Sequence, residues 1–531
     1  MVLRGFRHFF SQAPQALSWD SWIELVRRCK TLEEGKSLHA AIPSIASNKS
    51  ANVFLHNLLI QMYSRCGSLD DAMAVFDSLL CPNSFSWTIT ISALAQHGNH
   101  SSAIHFYRSM LLSGAVADEV TLVAVLDACV DLRTGNATFA SVSGEPRIIA
   151  HTKVRNAALT MYGRCGDLAM ACAIFKEIPA KDAISWNSMI TAYARNGHLE
   201  EAERIFDSMP VANVVSWTAM IAGNAQHGRS AQAFQFFRRM ILQGDPNSRP
   251  NQVTLLAILD ACLSLTSKSA IATVRGLEAL AAESMFHGDV MVNSALVNVY
   301  GSLGSVPDAR RIFQSMPDRN VVSWSSMVAA LAKCQRSSEA MATMRAMELE
   351  GIKASSVTLL AAIEACESSE DAGRIHARIV RDGFESDTKL GNALVGLYGL
   401  KLGMIDRARE VFDRIQRKDA VSWGVAVDAW AVRGFPRESL VIFARMDLEG
   451  VLVEEVSFTL AIDACAAIPS LERGRMLHRE MIEGDRCGVE EDLRLGNSLI
   501  NIGSSVRDLP GDEARGNSPK PNHFPQPSGN V

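Results

Sequence analysis

The chain has 531 residues, a formal net charge of −5 and 48% hydrophobic residues. This length is ample for a buried core, and the charge excludes a protein that attracts polyanions through an overall positive field. No uninterrupted apolar run approaches the about 18 residues of a bilayer-spanning helix, so no membrane contact is predicted. Any binding of nucleic acid must therefore use local positive charge.

The first 18 residues carry a targeting signature. Arg4, Arg7 and His8 precede the first acidic residue, Asp20, and three phenylalanines lie among them. This composition is typical of a short organellar transit peptide over residues 1–18, the alternative being a frayed start to the first repeat.

From residue 19 onward, three related phrases rotate in order. They are exemplified by "ISWNSMITAY" from residue 184, "NAALTMYGRCGDLAMACAIF" from residue 156 and "VTLLAILDAC" from residue 253. The units that these anchors delimit are 31 or 35 residues long, for example 183–213 and 321–355. Self-similarity at this period predicts a repeat architecture and takes precedence over a domain count based on length.

One unit, 183–213, shows why each repeat should be a helical hairpin. Trp186, Met189, Ile190 and Tyr193 form an apolar stripe at helical spacing, and Gly197 suits the left-handed turn that ends a helix. A second stripe follows from residue 199 to residue 209 and ends at a proline. The same glycine recurs in seven other units and is replaced at Gln335, where the turn is less clearly predicted.

Such hairpins can bury their stripes only by stacking on their neighbours. The sequence therefore predicts an all-α fold, an α-solenoid whose tandem helix-turn-helix repeats curve into a superhelix with a long inner groove. The second helix is expected to be lost in residues 133–146 ("RTGNATFASVSGEP") and eroded in the unit 252–289, making both places irregular joints.

These phrases resemble the pentatricopeptide repeat family, specifically the land-plant subclass that alternates long, short and standard repeats. The resemblance implies a right-handed superhelix. The family's E or DYW C-terminal domain is not recognisable in this sequence. About 14 units span residues 19–492, namely 19–52, 53–83, 84–118, 119–151, 152–182, 183–213, 214–251, 252–289, 290–320, 321–355, 356–387, 388–419, 420–454 and 455–492. A truncated repeat (493–505) and a disordered, Pro- and Gly-rich tail (506–531) follow, which suggests a truncated or alternatively terminated chain.

Eleven cysteines keep step with the repeat and include no Cys-x-x-Cys pair. We therefore expect reduced thiols in the core rather than metal ligands, and no cofactor. His478-Arg479-Glu480 matches half of a deaminase zinc signature by spelling, but it lies within a repeat phrase and lacks the paired cysteines. No catalytic constellation is found, and the chain is predicted not to be an enzyme.

The resemblance implies that each hairpin reads one RNA base with two residues, the one after the aromatic anchor and the last one of the unit. The predicted pairs are Asn57 with Asn83, Thr88 with Asp118, Asn156 with Asp182, Asn187 with Asn213, Thr218 with Asn251, Ser294 with Asn320, Ser325 with Ser355, and Asn392 with Asp419.

The chemistry of the bases explains these choices. Uracil and guanine present an imino N–H, which suits an acceptor-only carboxylate, whereas cytosine and adenine present a bare ring nitrogen, which suits an amide donor. The family's first residue separates purines (Thr, Ser) from pyrimidines (Asn). From 5′ to 3′ the expected target is x-Y-G-x-U-Y-A-x-R-?-x-U-?. The long units carry Ile23, Val123, Leu256, Leu360 and Thr459 at the first position and are expected to space bases, while Gly424 with Glu454 fits no pair.

Two alternatives stay open at the level of sequence. Each Asp or Asn ahead of a helix is also an ordinary helix N-cap. An array of helical hairpins can also bind peptides, which would make the chain a protein-interaction scaffold.

The favoured interpretation is an organellar adaptor for single-stranded RNA. It would act as a monomer and define C-to-U editing sites for a deaminase supplied in trans, in the mitochondrion or alternatively the chloroplast. Transcript stabilisation, processing or splicing is the second interpretation.

Overall fold

The computed structural model describes residues 19–41, 49–143, 151–245, 248–265, 270–283 and 288–451, together with Phe286, Ala461 and Ala464. The predicted transit peptide, the truncated repeat and the tail lie outside the described residues, as does the unit 455–492 apart from Ala461 and Ala464. The His478-Arg479-Glu480 sequence lies there too. Within the described ranges every regular element is a helix, which confirms the all-α class.

The chain divides into two compact units, residues 1–286 and 287–531. The described helices of the first unit are α1 (Trp19–Arg28), α2 (Leu32–Ala41), α3 (Lys49–Arg65), α4 (Leu69–Asp77), α5 (Ser84–Gln96), α6 (His100–Leu112), α7 (Glu119–Ala128), α8 (Leu132–Ser143), α9 (Thr152–Cys165), α10 (Leu168–Glu177), α11 (Ala183–Arg195), α12 (Leu199–Asp207), α13 (Val214–Gln226), α14 (Ser230–Gln243), α15 (Gln252–Cys262) and α16 (Ala270–Glu283).

The second unit repeats the same alternation. Its described helices are α17 (Val290–Ser302), α18 (Val306–Ser315), α19 (Val321–Lys333), α20 (Ser337–Leu349), α21 (Ser356–Ala365), α22 (Ser369–Arg381), α23 (Thr388–Gly396), a π-helical turn (Leu397–Lys401), α24 (Ile405–Arg414), α25 (Ala420–Val432) and α26 (Pro436–Leu448). No described helix is long and apolar enough to cross a bilayer.

In each unit the odd-numbered helices pack side by side as a layer of first helices, and each even-numbered helix packs on its own first helix. Contacts with the next first helix are made by α2, α4, α6, α8, α10, α12, α14, α18, α20 and α24. This is the tandem hairpin arrangement of an α-solenoid. The predicted stripe of α11 forms as expected, with Met189 and Ile190 fully buried.

A tryptophan and a phenylalanine join successive hairpins. The ring of Phe206 on α12 meets the edge of Trp217 on α13 at 4.6 Å between centroids, and Phe412 meets Trp423 at 5.1 Å. An edge-to-face pair of this kind adds about 0.5–1.5 kcal/mol beyond the burial of its area. Packing between successive hairpins thus explains why Ser-Trp recurs at the start of the unit that follows Ile-Phe or Val-Phe.

The turns between paired helices use the left-handed backbone region. Gly197 has a φ of 81°, and the corresponding glycines of other units are similar. Gln335, where the glycine is missing, still adopts a φ of 56°, and no other non-glycine residue of the described ranges has a positive φ. The hairpin that was less clearly predicted therefore keeps the same turn, at the expense of local backbone strain.

The expectation that the second helix is lost or eroded in two of the long units is wrong. Helix α8 occupies the first of them, and its Phe139 ring packs against Tyr162 at 5.6 Å between centroids. Helix α16 occupies the second and buries Ala270, Val274 and Leu277 at helical spacing. Both segments have weak intrinsic patterns, and tertiary packing stabilises the helix where propensity does not.

One unit contains an inserted residue. Between Tyr398 and the turn glycine Gly403 lie four residues, where the unit 152–182 has three between Tyr162 and Gly166. The π-helical turn absorbs this insertion. Lys401 then donates to the Glu364 carbonyl at 2.9 Å, as Arg164 does to the Asp127 carbonyl at 2.9 Å.

Candidate nucleic-acid interface

The predicted reading residues occupy equivalent places in each hairpin. The first member of every pair lies in the first turns of a first helix, and the second member lies directly ahead of the next first helix. All eight second members are helix N-caps whose side chains accept backbone N–H groups: Asn83, Asp118, Asp182, Asn213, Asn251, Asn320, Ser355 and Asp419. The capping role, which the sequence offered as an alternative to base reading, is therefore present in every pair.

Four pairs are joined by a direct hydrogen bond. Asn156 donates from Nδ2 to Asp182 Oδ1 at 3.1 Å, and Asn392 donates to Asp419 Oδ1 at 3.1 Å. The other two bonds are from Asn187 to Asn213 at 3.3 Å and from Thr88 to Asp118 at 3.4 Å. Residues 26 to 30 positions apart in sequence are thus brought into contact.

The remaining pairs are less directly joined. In the described part of the chain no direct hydrogen bond links Asn57 with Asn83, Ser294 with Asn320, Thr218 with Asn251, or Ser325 with Ser355. The last two pairs are connected through a hydroxyl of the following helix, Thr254 at 2.7 Å from Thr218 and Thr358 at 2.6 Å from Ser325.

Capping commits one oxygen of each aspartate. Asp182 Oδ1 accepts the Ser185 N–H at 2.8 Å, the Ser185 hydroxyl at 2.9 Å and the Asn156 amide at 3.1 Å. Asp182 Oδ2 accepts no hydrogen bond from any described residue. Burial alone would raise the pKa of this carboxyl, but the hydrogen bonds from Ser185 and Asn156 outweigh it, so the pKa lies below its ordinary value. The side chain is therefore an anion with one outward acceptor.

Capping also fixes the orientation of each asparagine amide. Asn213 Oδ1 accepts the Val215 and Ser216 N–H groups at 2.9 and 3.1 Å, so this atom must be oxygen. Asn213 Nδ2 is then the outward group and presents donors. The same helix start thus presents an acceptor when its cap is Asp and a donor when its cap is Asn.

The first members lie deeper than the caps. Asn57, Thr88, Asn156, Ser294, Ser325 and Asn392 are 2% to 7% exposed, while Asn187 and Thr218 are half-buried. A ligand on this face would therefore meet the caps first, and it would reach the first members only by their outer edge.

Three of the first-member asparagines have a buried side-chain atom without a hydrogen-bond partner among the described residues. The side-chain oxygens of Asn57, Asn187 and Asn392 are buried and accept no hydrogen bond within the described structure. An unsatisfied buried polar atom costs about 1–3 kcal/mol. All three belong to the predicted reading set, which marks the face as one that a polar ligand or water completes.

Exposed apolar side chains flank the pairs, a feature that the sequence analysis missed. They lie three residues before the first member of each unit and are 42% to 60% exposed: Phe54, Phe85, Val120, Ile184, Val215, Val253, Met291, Val322, Val357 and Val421. We call them the flanking residues. They could have been recognised as apolar residues that repeat with the unit but fall off the buried stripe of their helix.

Two units replace the flanking residue with lysine. Lys153 and Lys389 occupy that position in the units that carry the Asn156–Asp182 and Asn392–Asp419 pairs. Lys153 is 78% exposed at its side chain and lies 3.3 Å from Glu119. Lys389 makes no ion pair with a described residue.

An open cleft lies at one of the pairs. It has a volume of about 490 Å³ and brings together Thr218, Asn251, the flanking residues Val215 and Val253, and the guanidinium-bearing Arg195. A cap amide, a hydroxyl, two apolar walls and a cation thus meet in one place.

The positions expected not to read a base are apolar or featureless. Ile23, Val123, Leu256, Leu360 and Gly424 are half-buried, and Thr459 and Glu454 lie outside the described residues. In the described ranges no group of three or more His, Cys, Asp or Glu residues could hold a metal ion. Cys129, Cys262 and Cys366 are buried, as expected for core thiols, and burial raises the pKa of Cys262 to about 12.

Comparison with known proteins matches the repeat. The family model of the PPR repeat matches residues 54–81, 85–114, 184–214, 215–245, 294–321 and 322–352. A mitochondrial pentatricopeptide repeat-containing protein of Arabidopsis thaliana is 28% identical over 452 residues, covering 83% of this chain and 66% of its own. A chloroplastic one from the same plant is 28% identical over 497 residues, covering 92% and 52%.

The chain therefore spans about two thirds or less of the length of these relatives. Among solved structures, the maize pentatricopeptide repeat protein PPR10 aligns with a TM-score of 0.45 and 18% identity over 92% of this chain and 81% of that one. The six matched repeats, the relatives and the hairpins with their capped, paired polar residues agree, and the chain is a member of the pentatricopeptide repeat family.

Proposed function

We propose that this protein is a sequence-specific adaptor for single-stranded RNA in a plant organelle. It acts as a monomer and presents C-to-U editing sites to a deaminase supplied by a partner. The observation that carries the proposal is the pairing of reading residues from successive hairpins, each pair at a capped helix start and next to exposed apolar side chains.

The caps supply the chemistry for telling bases apart. The outward oxygen of Asp182 or Asp419 can accept the imino N–H of uracil or guanine, and it repels the bare ring nitrogen of cytosine or adenine. The outward amide of Asn213 or Asn251 does the reverse. Because the cap bonds hold the other half of each side chain, the outward group cannot rotate to suit the wrong base.

The flanking residues supply the walls for a base. Val215 and Val253 belong to successive first helices, and both line the cleft that contains Thr218 and Asn251. A flat base between two apolar side chains loses contact with water while its polar edge meets the caps. This arrangement gives affinity for any base, and the pair then supplies the selectivity.

Cations near the pairs supply contacts for phosphates. Arg195 lines the cleft, and Lys153 and Lys389 stand at flanking positions. With a net charge of −5, attraction to RNA must come from such local groups. Each phosphate contact should contribute about −0.7 to the slope of log affinity against log salt on a single strand.

The biological setting rests on the order of the repeats and on the relatives. The alternation of long, short and standard units resembles that of editing factors, and the relatives are named mitochondrial or chloroplastic. The mitochondrion is the proposed compartment. The proposal assigns the chemistry of editing to a partner.

Sequencing organellar transcripts after loss of the protein tests the proposal. One or a few cytidines that stay unedited, downstream of the target sequence, would support it. A lost transcript end or an unspliced intron would instead support a role in stabilisation or splicing. Normal transcripts, together with purified protein that binds peptides but no RNA, would overturn RNA binding in favour of a protein scaffold.

A further inference from the structure

A third polar residue accompanies every reading pair. The third residue of the first helix after each cap is a serine or threonine that is 0% to 1% exposed: Ser86, Thr121, Ser185, Ser216, Thr254, Ser323, Thr358 and Ser422. These hydroxyls contact the cap of their own helix. Four of them also contact the first reading residue of the preceding unit, namely Ser185 and the threonines Thr121, Thr254 and Thr358.

The hydrogen bonds at Thr254 determine where its proton lies. Thr254 Oγ1 lies 2.9 Å from Asn251 Oδ1. This Asn251 atom must be the amide oxygen, because it also accepts the Thr254 N–H at 2.9 Å. Thr254 therefore donates its single hydroxyl proton to Asn251. Its oxygen accepts the Asn251 N–H at 3.3 Å.

The contact between the two threonines then has only one possible direction. Thr218 Oγ1 lies 2.7 Å from Thr254 Oγ1, and since the Thr254 proton is already used, Thr218 must donate. The Thr218 hydroxyl makes no other hydrogen bond with the described residues. Its proton is therefore committed inward, and it presents only lone pairs to the cleft.

We propose that Thr254 is a positioning residue that makes Thr218 an obligate acceptor and thereby excludes pyrimidines from this site. The inference deepens the proposed function and rests on it. With the ring nitrogen of the base at Asn251, the neighbouring C2 edge faces Thr218. Both pyrimidines carry an acceptor oxygen, O2, on that edge, and two acceptors repel each other. Adenine carries only C2–H there and is admitted.

The asparagine readers show the opposite polarity. Asn156 uses one amide hydrogen on Asp182 Oδ1, and its oxygen lies 2.8 Å from the Ser185 hydroxyl, whose single proton is shared between this oxygen and Asp182 Oδ1. Its second amide hydrogen can donate to the O2 atom that both pyrimidines share. The same inner network thus prepares an acceptor at Thr218 and a donor at Asn156.

Thr88 provides a comparison within the same protein. Thr88 contacts Thr121 at 2.6 Å, but two other acceptors lie within reach of its single proton, the Ser84 carbonyl at 2.9 Å and Asp118 Oδ1 at 3.4 Å. Removing the Thr121 hydroxyl therefore leaves the Thr88 proton committed. Thr218 has no such second acceptor, so its polarity depends on Thr254.

The test compares the affinity of the full chain for two oligonucleotides that differ only at the seventh position of the target, adenine or cytosine. The ratio of the two dissociation constants should fall by about tenfold in Thr254→Val, because the released Thr218 proton can then donate to O2. Thr254→Ser restores the hydroxyl and should keep the wild-type ratio. Thr121→Val is measured at its own third position, with guanine against uracil, and should keep the wild-type ratio there.

A loss of affinity for both oligonucleotides by the same factor in Thr254→Val would overturn the inference, because a merely structural threonine predicts that result. If the wild-type protein itself fails to prefer adenine over cytosine, the base-reading proposal fails and this inference fails with it.

A modified base in the oligonucleotide tests the same inference on the wild-type protein, so this test can be made even if Thr254→Val does not fold. Replacing the adenine by 2,6-diaminopurine adds an N–H donor at C2. Wild-type protein should bind this oligonucleotide about threefold to tenfold more tightly, because Thr218 accepts the new hydrogen bond. Equal or weaker binding would overturn the inference.

Discussion

Exchanging Asp182 for asparagine should change which pyrimidine the fifth unit prefers. The substitution keeps Oδ1, which caps α11 by accepting the Ser185 N–H at 2.8 Å, and replaces the outward oxygen by an amide. Asp and Asn are about equally good N-caps, so the free energy of unfolding should change by less than about 1 kcal/mol. The shape of the site is kept while its outward group changes from acceptor to donor.

The magnitude follows from the bonds that are exchanged. A hydrogen bond to a charged group contributes about 1.5–3 kcal/mol, so wild-type protein should prefer uridine over cytidine at this position by about tenfold to hundredfold. The neutral amide of Asp182→Asn contributes about 0.5–1.5 kcal/mol, so the variant should prefer cytidine by about threefold to tenfold.

The assay measures dissociation constants for two oligonucleotides that differ only at the fifth position. A reciprocal variant serves as a control, because Asn213→Asp should shift the sixth position from cytidine toward uridine. The double variant restores the net charge, so it separates base selectivity from a general change in affinity for RNA. If Asp182→Asn weakens binding to both oligonucleotides equally, the cap does not read the base.

Three further predictions concern stability. Gln335→Gly should raise the free energy of unfolding by about 0.5–1 kcal/mol in urea denaturation, because glycine adopts the φ of 56° without strain, and a loss of stability would contradict the turn. Gly301→Ala should lower the free energy of unfolding by about 1–3 kcal/mol, because the new Cβ would lie 2.3 Å from Ala330 Cβ. Gly373→Ala should not lower it, because a Cβ at Gly373 meets nothing within 4 Å. Burial would raise the pKa of Asp419, but hydrogen bonds from Ser422 and Asn392 outweigh burial and lower this pKa in the folded protein. The charged Asp419 carboxylate therefore stabilises the fold above the unfolded pKa of about 3.9, and this stabilisation is lost as pH falls through the folded pKa. The urea midpoint of wild-type protein should therefore fall more steeply below about pH 4 than that of Asp419→Asn, and parallel curves would contradict the bonds to Asp419.

The hairpins could be predicted from sequence because each carries two apolar stripes and a glycine between them. The helices α8 and α16 could not, since segments such as "TGNATFASVS" have small and polar residues whose helical state depends on neighbours such as Tyr162. The turn at Gln335 was uncertain for a related reason. Stacking on both sides fixes the hairpin there, and the backbone accepts a strained residue.

The reading pairs were predicted from the family resemblance, and the structure adds how they are built. Sequence presented capping and base reading as rival explanations for Asp182 or Asn213. The structure shows that capping holds one atom of the side chain and leaves the other outward, so the two roles are compatible. The flanking residues and the inner hydroxyls were missed because solvent exposure and contacts across about 30 residues of sequence cannot be read from one unit alone.

Selection of bound sequences from a random RNA pool tests the central claim most directly. One base per hairpin predicts a motif with guanine at the third position, uracil at the fifth and adenine at the seventh. A second uracil is expected seven nucleotides after the first, because the Asn392–Asp419 pair lies seven units after the Asn156–Asp182 pair. An enriched motif with these bases at these spacings is the result that the account predicts. Enrichment of composition without fixed spacing, or of a motif unrelated to the caps, would contradict it.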